Sequence, residues 1–257
     1  MRSTPDNRTI VVHADPEALA EGAARRIELL AAEAIAARGR FIIALAGGST
    51  PKRTYELLAR RGAQIDWRQV YVVVGDERLV PRGDPQSNFG MAQEALLSRI
   101  PIPAAHVFPV PVELDDEARI AATYADLLTA LAGDEPGPPK LDLILLGLGS
   151  DGHTASLFPG HPALDERSAW VVATAPGTLP PPVRRVTMTF PVLNAARHVL
   201  FLVAGSDKSE ALAAIISGDA SVRVHPAVAV RPERGTLEWY IDRAAAALLP
   251  AERSDTA

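Results

Sequence analysis

The sequence predicts an α/β fold built on a mostly parallel sheet, and three features point that way. Residues 41–46, 70–74, 143–146 and 198–204 are apolar almost throughout, as strands buried on both faces of a parallel sheet are. Segments of helical period alternate with them, the pattern of strand–helix–strand units. Each apolar run also breaks into a polar or glycine-rich loop. In a parallel sheet the loops that follow the strands share one edge, where ligands bind.

Taken in order, residues 9–13 (Thr-Ile-Val-Val-His) make a first strand. Asp15 then caps a helix with Pro16 at its first position; Leu19, Ala23, Ile27, Leu30 and Ala34 share one face, and Gly39 ends it. The strand at 41–46 leads through Gly47, Gly48, Ser49 and Thr50 into a helix opened by Pro51. The strand at 70–74 is followed by Gly75-Asp76-Glu77-Arg78, read as a loop, and by residues 84–90. There Ser87 or Asn88 can cap a helix carrying Met91, Ala95 and Leu96. A helix over 115–131 presents Ile120, Tyr124, Leu127, Leu128 and Leu131 on one face. The Gly/Pro loop at 133–139 is too short for a domain linker, so a single domain is expected over 1–257. Strands are expected at 169–174 and 185–190, separated by a stiff proline-rich loop at 176–183. The strand at 198–204 runs through Gly205 into the helix of Leu212, Ile215 and Ile216. A last strand at 237–242 precedes a helix over 244–249, and the final six residues are expected to fray.

Composition narrows the function. The 257 residues are 47% hydrophobic and 22% charged, ordinary for a soluble globular protein. A net charge of −5 leaves no basic footprint for nucleic acid, so a nucleic-acid partner is not expected. An anionic ligand would need a local positive field. With no cysteine there is no disulfide, no thiol nucleophile and no cysteine zinc site. The amino terminus is polar with no signal-peptide core, and no apolar run reaches membrane-spanning length. A cytoplasmic protein without a membrane partner is therefore expected. Nothing sets its oligomeric state between monomer and small homo-oligomer.

The chemistry concentrates after the central strand. Gly147, Gly149, Ser150, Asp151, Gly152 and His153 follow residues 143–146, and glycines at that density let backbone approach a ligand. His153 can take and return a proton near neutral pH, and Asp151, two positions away, can orient it. An Asp-Gly-His taken alone more often caps a turn or the next helix, and it is the other loops that turn the reading toward a site. Gly47 to Thr50 before a helix make an anion-site geometry, or an ordinary tight turn. The charges of Asp76, Glu77 and Arg78 directly after an apolar strand are paired or used if buried, and otherwise solvated. Lys208 sits at the amino-terminal end of a helix, the unfavourable end for a cation unless an anion binds there or Asp207 or Glu210 pairs with it.

Together these motifs resemble the 6-phosphogluconolactonase family. Gly47-Gly-Ser-Thr-Pro, Gly75-Asp-Glu-Arg-x-Val-Pro with Ser87-Asn88, Gly149-x-Asp-Gly-His-Thr-Ala-Ser-Leu-Phe-Pro, Arg185-Val-Thr and Gly205-x-x-Lys with Glu210-Ala-Leu come in that family's order over nearly the whole chain. The resemblance implies an open, doubly wound, Rossmann-like sheet and hydrolysis of 6-phospho-D-glucono-1,5-lactone in the oxidative pentose phosphate pathway. It implies His153 as general base. It aligns Asp151 and His153 with the aspartate–histidine pair, and Asp76 with the proton-abstracting aspartate, of the related glucosamine-6-phosphate deaminases, so that Asp151 and Asp76 join His153 as expected catalytic residues. It also implies Arg78 close to the substrate, and Gly47, Gly48, Ser49, Thr50, Arg185 and Lys208 on its phosphate. No cofactor or metal is required by that chemistry. The related glucosamine-6-phosphate deaminases carry a glutamate where this chain has Phe158, before Pro159. Loss of that ring-opening carboxylate counts against amino-sugar isomerisation. A non-catalytic sugar-phosphate sensor is the remaining alternative, and it has no need of the Asp151–His153 pair.

Overall fold

Strands that are apolar on both faces need cover on both faces, and the chain supplies it by returning to one sheet again and again. The computed structural model describes residues 8–61, 64–133, 136–177, 182–218 and 220–250. Both chain ends, Asp134 and Glu135 of the 133–139 loop, and residues 178–181 of the proline-rich loop lie outside them. The elements are β1 (Arg8–His13), α1 (Pro16–Arg38), β2 (Phe41–Leu45), α2 (Ser49–Arg60), β3 (Val70–Val74), β4 (Asp76–Arg78), α3 (Asn88–Ala95) and α4 (Glu117–Ala132). They continue with β5 (Leu143–Leu146), β6 (Val171–Thr174), β7 (Arg185–Met188), α5 (Phe190–Ala195), β8 (His198–Val203), α6 (Ser209–Ser217) and β9 (Thr236–Asp242). Six strands form a parallel sheet in the order β1-β9-β8-β5-β2-β3. Helices flank it, which is the α/β arrangement the apolar runs predict. The chain moves outward from β2 to β3, then comes back to lay β5 on the other side of β2 and moves outward again through β8 and β9. Strand order reverses at the β2–β5 boundary, and a crevice opens beyond the carboxyl ends of strands at such a point.

The local signals act as expected at several ends. Asp15 accepts from the Ala18 N–H and caps α1, which Gly39 ends in the left-handed conformation with φ 72°. Ser87, not Asn88, caps α3 by accepting from Gly90 N–H. Two buried tyrosines serve backbone groups at the strand ends nearest the crevice. The Tyr55 hydroxyl lies 2.9 Å from both the nitrogen and the oxygen of Ala46. The Tyr124 hydroxyl does the same for Val74 at 2.8 and 3.0 Å. Burial drives both phenols well above their ordinary pKa, so they stay neutral and able to donate.

Five readings are corrected. Residues 76–78 form a strand, not a loop: β4 joins β7 and β6 in a separate three-stranded antiparallel sheet covered by α4. Three charged residues hide the alternation of a strand that carries its polar groups inward. α2 begins at Ser49, two residues before Pro51, because Gly48 with φ 105° makes the sharp entry. α4 begins at Glu117, with Asp116 as its cap. The strand from 185 ends at Met188, and Phe190–Ala195 is a short helix with proline in its first turn. The final helix is a 3-10 turn at Ala245–Leu248, stopped before Pro250 and held at its start by the Asp242 carboxylate, 2.7 Å from Ala245 N.

Candidate active site

The loops that follow β2, β3, β5 and β8 converge on a cleft of about 280 Å³ at the carboxyl edge of the parallel sheet. Gly47, Gly48, Ser49, Thr50, Asp76, Arg78, His153, Arg185 and Lys208 all line it, and Asp151 stands behind His153. Stretches up to about 160 positions apart thus meet because parallel strands place all their carboxyl ends together.

His153 comes from the turn after β5. Its Nδ1 lies 2.6 Å from Asp151 Oδ1, and the same oxygen accepts from the His153 backbone N–H at 3.1 Å. An ionised carboxylate can only accept, so Nδ1 carries a proton, and in the neutral ring Nε2 then holds the lone pair. Burial raises the Asp151 pKa, but the hydrogen bond and charge of His153 outweigh it and hold the carboxyl below its ordinary 3.8. Gly149 makes room for the pair: a methyl there would come within 2.1 Å of His153 Nδ1 and 2.5 Å of Asp151 Oδ1. On the next turn Ala155 adopts φ 49°, a conformation rare outside glycine, as the chain bends to bury Ser156. The Ser156 hydroxyl donates to Asp76 Oδ2 at 2.6 Å, which ties the β5 loop to the second sheet.

Asp76 and Glu77 are 7% and 2% exposed, so the solvated-loop alternative for this stretch is out. Glu77 accepts from the backbone N–H groups of Arg78, Asn88 and Phe89, each at 2.7 Å, and from the Ser87 hydroxyl at 3.0 Å. Burial raises its pKa, against those four donors. Arg78 Nη1 donates to the Gln86 carbonyl at 2.8 Å and to Asn88 Oδ1 at 2.6 Å.

Further cations line the same cleft. Arg185, on β7, is 4% exposed, and its guanidinium carbon lies 5.2 Å from the Phe158 ring centroid. Phe158 also meets the His153 ring at 4.9 Å. Burial lowers the Arg185 pKa, with Asp76 acting in the opposite direction. Lys208 ends the 3-10 turn before α6 and pairs with the exposed Asp207 at 2.8 Å, the local-pairing alternative for this lysine. Arg78, Arg185 and Lys208 concentrate positive charge in one cleft of a chain with net charge −5, and the first turn of α2 adds its dipole. Among the described residues no cluster of three His, Asp or Glu side chains could hold a metal ion. Ser156, Phe158 and Asn88 complete the surroundings. Their contacts were not legible from residue type: Ser156 is marked in the sequence only as a member of the His153 motif, Phe158 as the residue standing where the deaminases carry a glutamate, and Asn88 as a cap candidate.

A search of family models matches residues 14–239 to the family described as glucosamine-6-phosphate isomerases/6-phosphogluconolactonase. The chain belongs to this family. Within it, the chain is 43% identical over 214 residues to the 6-phosphogluconolactonase of a Synechocystis strain, covering 83% of this chain and 86% of the relative. It is 40% identical over 246 residues to the 6-phosphogluconolactonase of a Nostoc strain, covering 94% and 98%. The solved 6-phosphogluconolactonase of Trypanosoma brucei superposes with a TM-score of 0.84 at 34% identity, covering 95% of this chain and 99% of that one.

Proposed function

We propose that this protein hydrolyses 6-phospho-D-glucono-1,5-lactone to 6-phosphogluconate, a step of the oxidative pentose phosphate pathway, with His153 as the base that activates water. The observation that carries the catalytic assignment is the 2.6 Å Asp151–His153 pair at the wall of a cleft that also holds Arg78, Arg185 and Lys208. Kinship with 6-phosphogluconolactonases along most of the chain supports the substrate.

A lactone is an ester already disposed to open, so the protein must supply a base, an oxyanion partner and orientation. The Nε2 lone pair of His153 takes a proton as the water oxygen bonds to C1. Electrons move onto the carbonyl oxygen, where the Arg78 guanidinium stabilises the charge. When the tetrahedral centre collapses, the bond from C1 to the ring oxygen breaks and the imidazolium returns its proton to that oxygen, which becomes the C5 hydroxyl. Asp151 holds the ring and stabilises its charged form. Positioned acid–base catalysis of this kind contributes about 10²–10⁴-fold. The phosphate binds at the Gly47–Thr50 turn with Arg185 and Lys208, remote from C1, and its binding energy orients the reacting carbon. Phe158, packed against His153 and Arg185, places no carboxylate where an amino-sugar deaminase needs one. A cytoplasmic location is part of the proposal and is tested by cell fractionation.

The deciding experiment generates the lactone in place with glucose-6-phosphate dehydrogenase and follows 6-phosphogluconate above its spontaneous rate. Acceleration by the wild-type protein and its loss in a folded His153→Ala variant that still binds 6-phosphogluconate are expected. No acceleration by the wild type refutes the function. Undiminished acceleration by the variant refutes the base.

A further inference from the structure

The sequence offers Ser87 or Asn88 as the helix cap; Ser87 fills that role and Asn88 turns elsewhere. It is 3% exposed and lines the cleft. Its Oδ1 accepts from Arg78 Nη1 at 2.6 Å, and its Nδ2 donates to the Asp76 carbonyl at 2.9 Å. Its side chain also lies flat against the backbone of Gly47, where an added methyl would sit 1.9 Å from Oδ1. One amide therefore touches the turn after β2 and both cleft-lining residues of β4.

The amide is itself held. Glu77 is buried beneath it and accepts from the Asn88 backbone N–H and the Phe89 N–H, the first donors of α3. A carboxylate there satisfies helix-end N–H groups and suits the helix dipole. The consequence falls on Arg78. Its Nη1 has two hydrogens, and the Gln86 carbonyl and Asn88 Oδ1 take both. The Nε–H is buried with no acceptor among the described residues. The guanidinium is thus gripped at one nitrogen, Nη1, which fixes how the group sits in the cleft it lines.

We propose that Asn88, anchored by Glu77, is the positioning residue that aims Arg78 at the reacting end of the lactone. The inference rests on the lactonase reading above. Asn88 makes no bond in the reaction. It acts through Arg78, and its removal frees Nη1 and lets a long side chain leave the one orientation in which its charge meets the developing oxyanion.

The test is a double-mutant cycle in the lactone assay: wild type, Asn88→Ala, Arg78→Ala and the double variant, with kcat and KM measured separately and thermal melting used to confirm folding. Losing an oxyanion donor costs about 10²–10³-fold in kcat, which is expected for Arg78→Ala. Misplacing one by about 1 Å costs up to about 10²-fold, expected for Asn88→Ala with a smaller change in KM. The double variant should fall within about threefold of Arg78→Ala, because an aiming residue has nothing left to aim. Losses that multiply, a wild-type kcat in Asn88→Ala, or a wild-type kcat in Arg78→Ala each overturn the inference. An inactive wild type overturns the lactonase reading instead. Should Asn88→Ala fail to fold, Asn88→Asp keeps both the volume and the acceptor for Nη1. It should retain kcat within about tenfold of wild type and well above Arg78→Ala; a kcat as low as that of Arg78→Ala overturns the inference.

Discussion

Gly149→Ala adds one methyl group and tests the His153–Asp151 geometry more cleanly than replacing either member. Gly149 does not occupy the positive-φ region, so alanine there meets no backbone penalty. The new Cβ would stand 2.1 Å from His153 Nδ1, 2.4 Å from its Cε1 and 2.5 Å from Asp151 Oδ1, against a practical lower limit of 3.0 Å. The imidazole, the carboxylate or the turn carrying both must retreat by roughly 1 Å, and a displacement of about 1 Å in a catalytic group costs on the order of 10²-fold in rate. That corresponds to about 2.7 kcal/mol of transition-state stabilisation. The phosphate end of the cleft comes from other elements, so KM should change by less than about threefold while kcat falls. The assay is the coupled lactone assay with initial rates over a range of lactone concentration. Histidine side-chain NMR on the same samples reports whether the Nδ1 proton keeps its carboxylate partner. A folded Gly149→Ala variant with kcat within twofold of wild type would show that the 2.6 Å pair does not set the rate.

Three further outcomes follow from the structure. The Asp151 carboxyl is held below 3.8 in the folded protein, so its contribution to stability is complete above that value and is lost as pH falls through the depressed one. Urea midpoints should accordingly separate wild type from Asp151→Asn at neutral pH and converge in strong acid; a constant gap across that range refutes the linkage. Tyr55→Phe strands the N–H and C=O of Ala46 at the mouth of the Gly47 turn and should cost about 1–3 kcal/mol in urea unfolding, a loss that is absent if another group takes over. Phe158→Leu removes the ring beneath Arg185 and beside His153. A cation–π contact of about 0.5–2 kcal/mol predicts a rise in KM of about 2–30-fold with a smaller effect on kcat, and an unchanged KM would separate Arg185 from substrate binding.

The strands at 41–45, 70–74, 143–146 and 198–203 were legible because burial on both faces leaves an unbroken apolar run, and α1 because Asp15, Pro16 and Gly39 mark its ends in local chemistry. β4 was not legible. Its three charged residues carry no strand signature, and what makes them a strand is the partner β7, over a hundred positions away. Charge burial is hidden for the same reason: Asp76 is tolerated at 7% exposure in part because Ser156, eighty positions later, donates to it. The sequence by itself determined the alternation of strands and helices, the loops that bear polar groups, and the adjacency of Asp151 to His153. All of these are encoded within a few residues of each other. Tertiary structure alone decided that Asn88 grips Arg78, that Glu77 lies buried at the start of α3, and that Phe158 bridges the base and Arg185. Those contacts join side chains from separate turns, and no local periodicity records which distant donor will meet a buried acceptor.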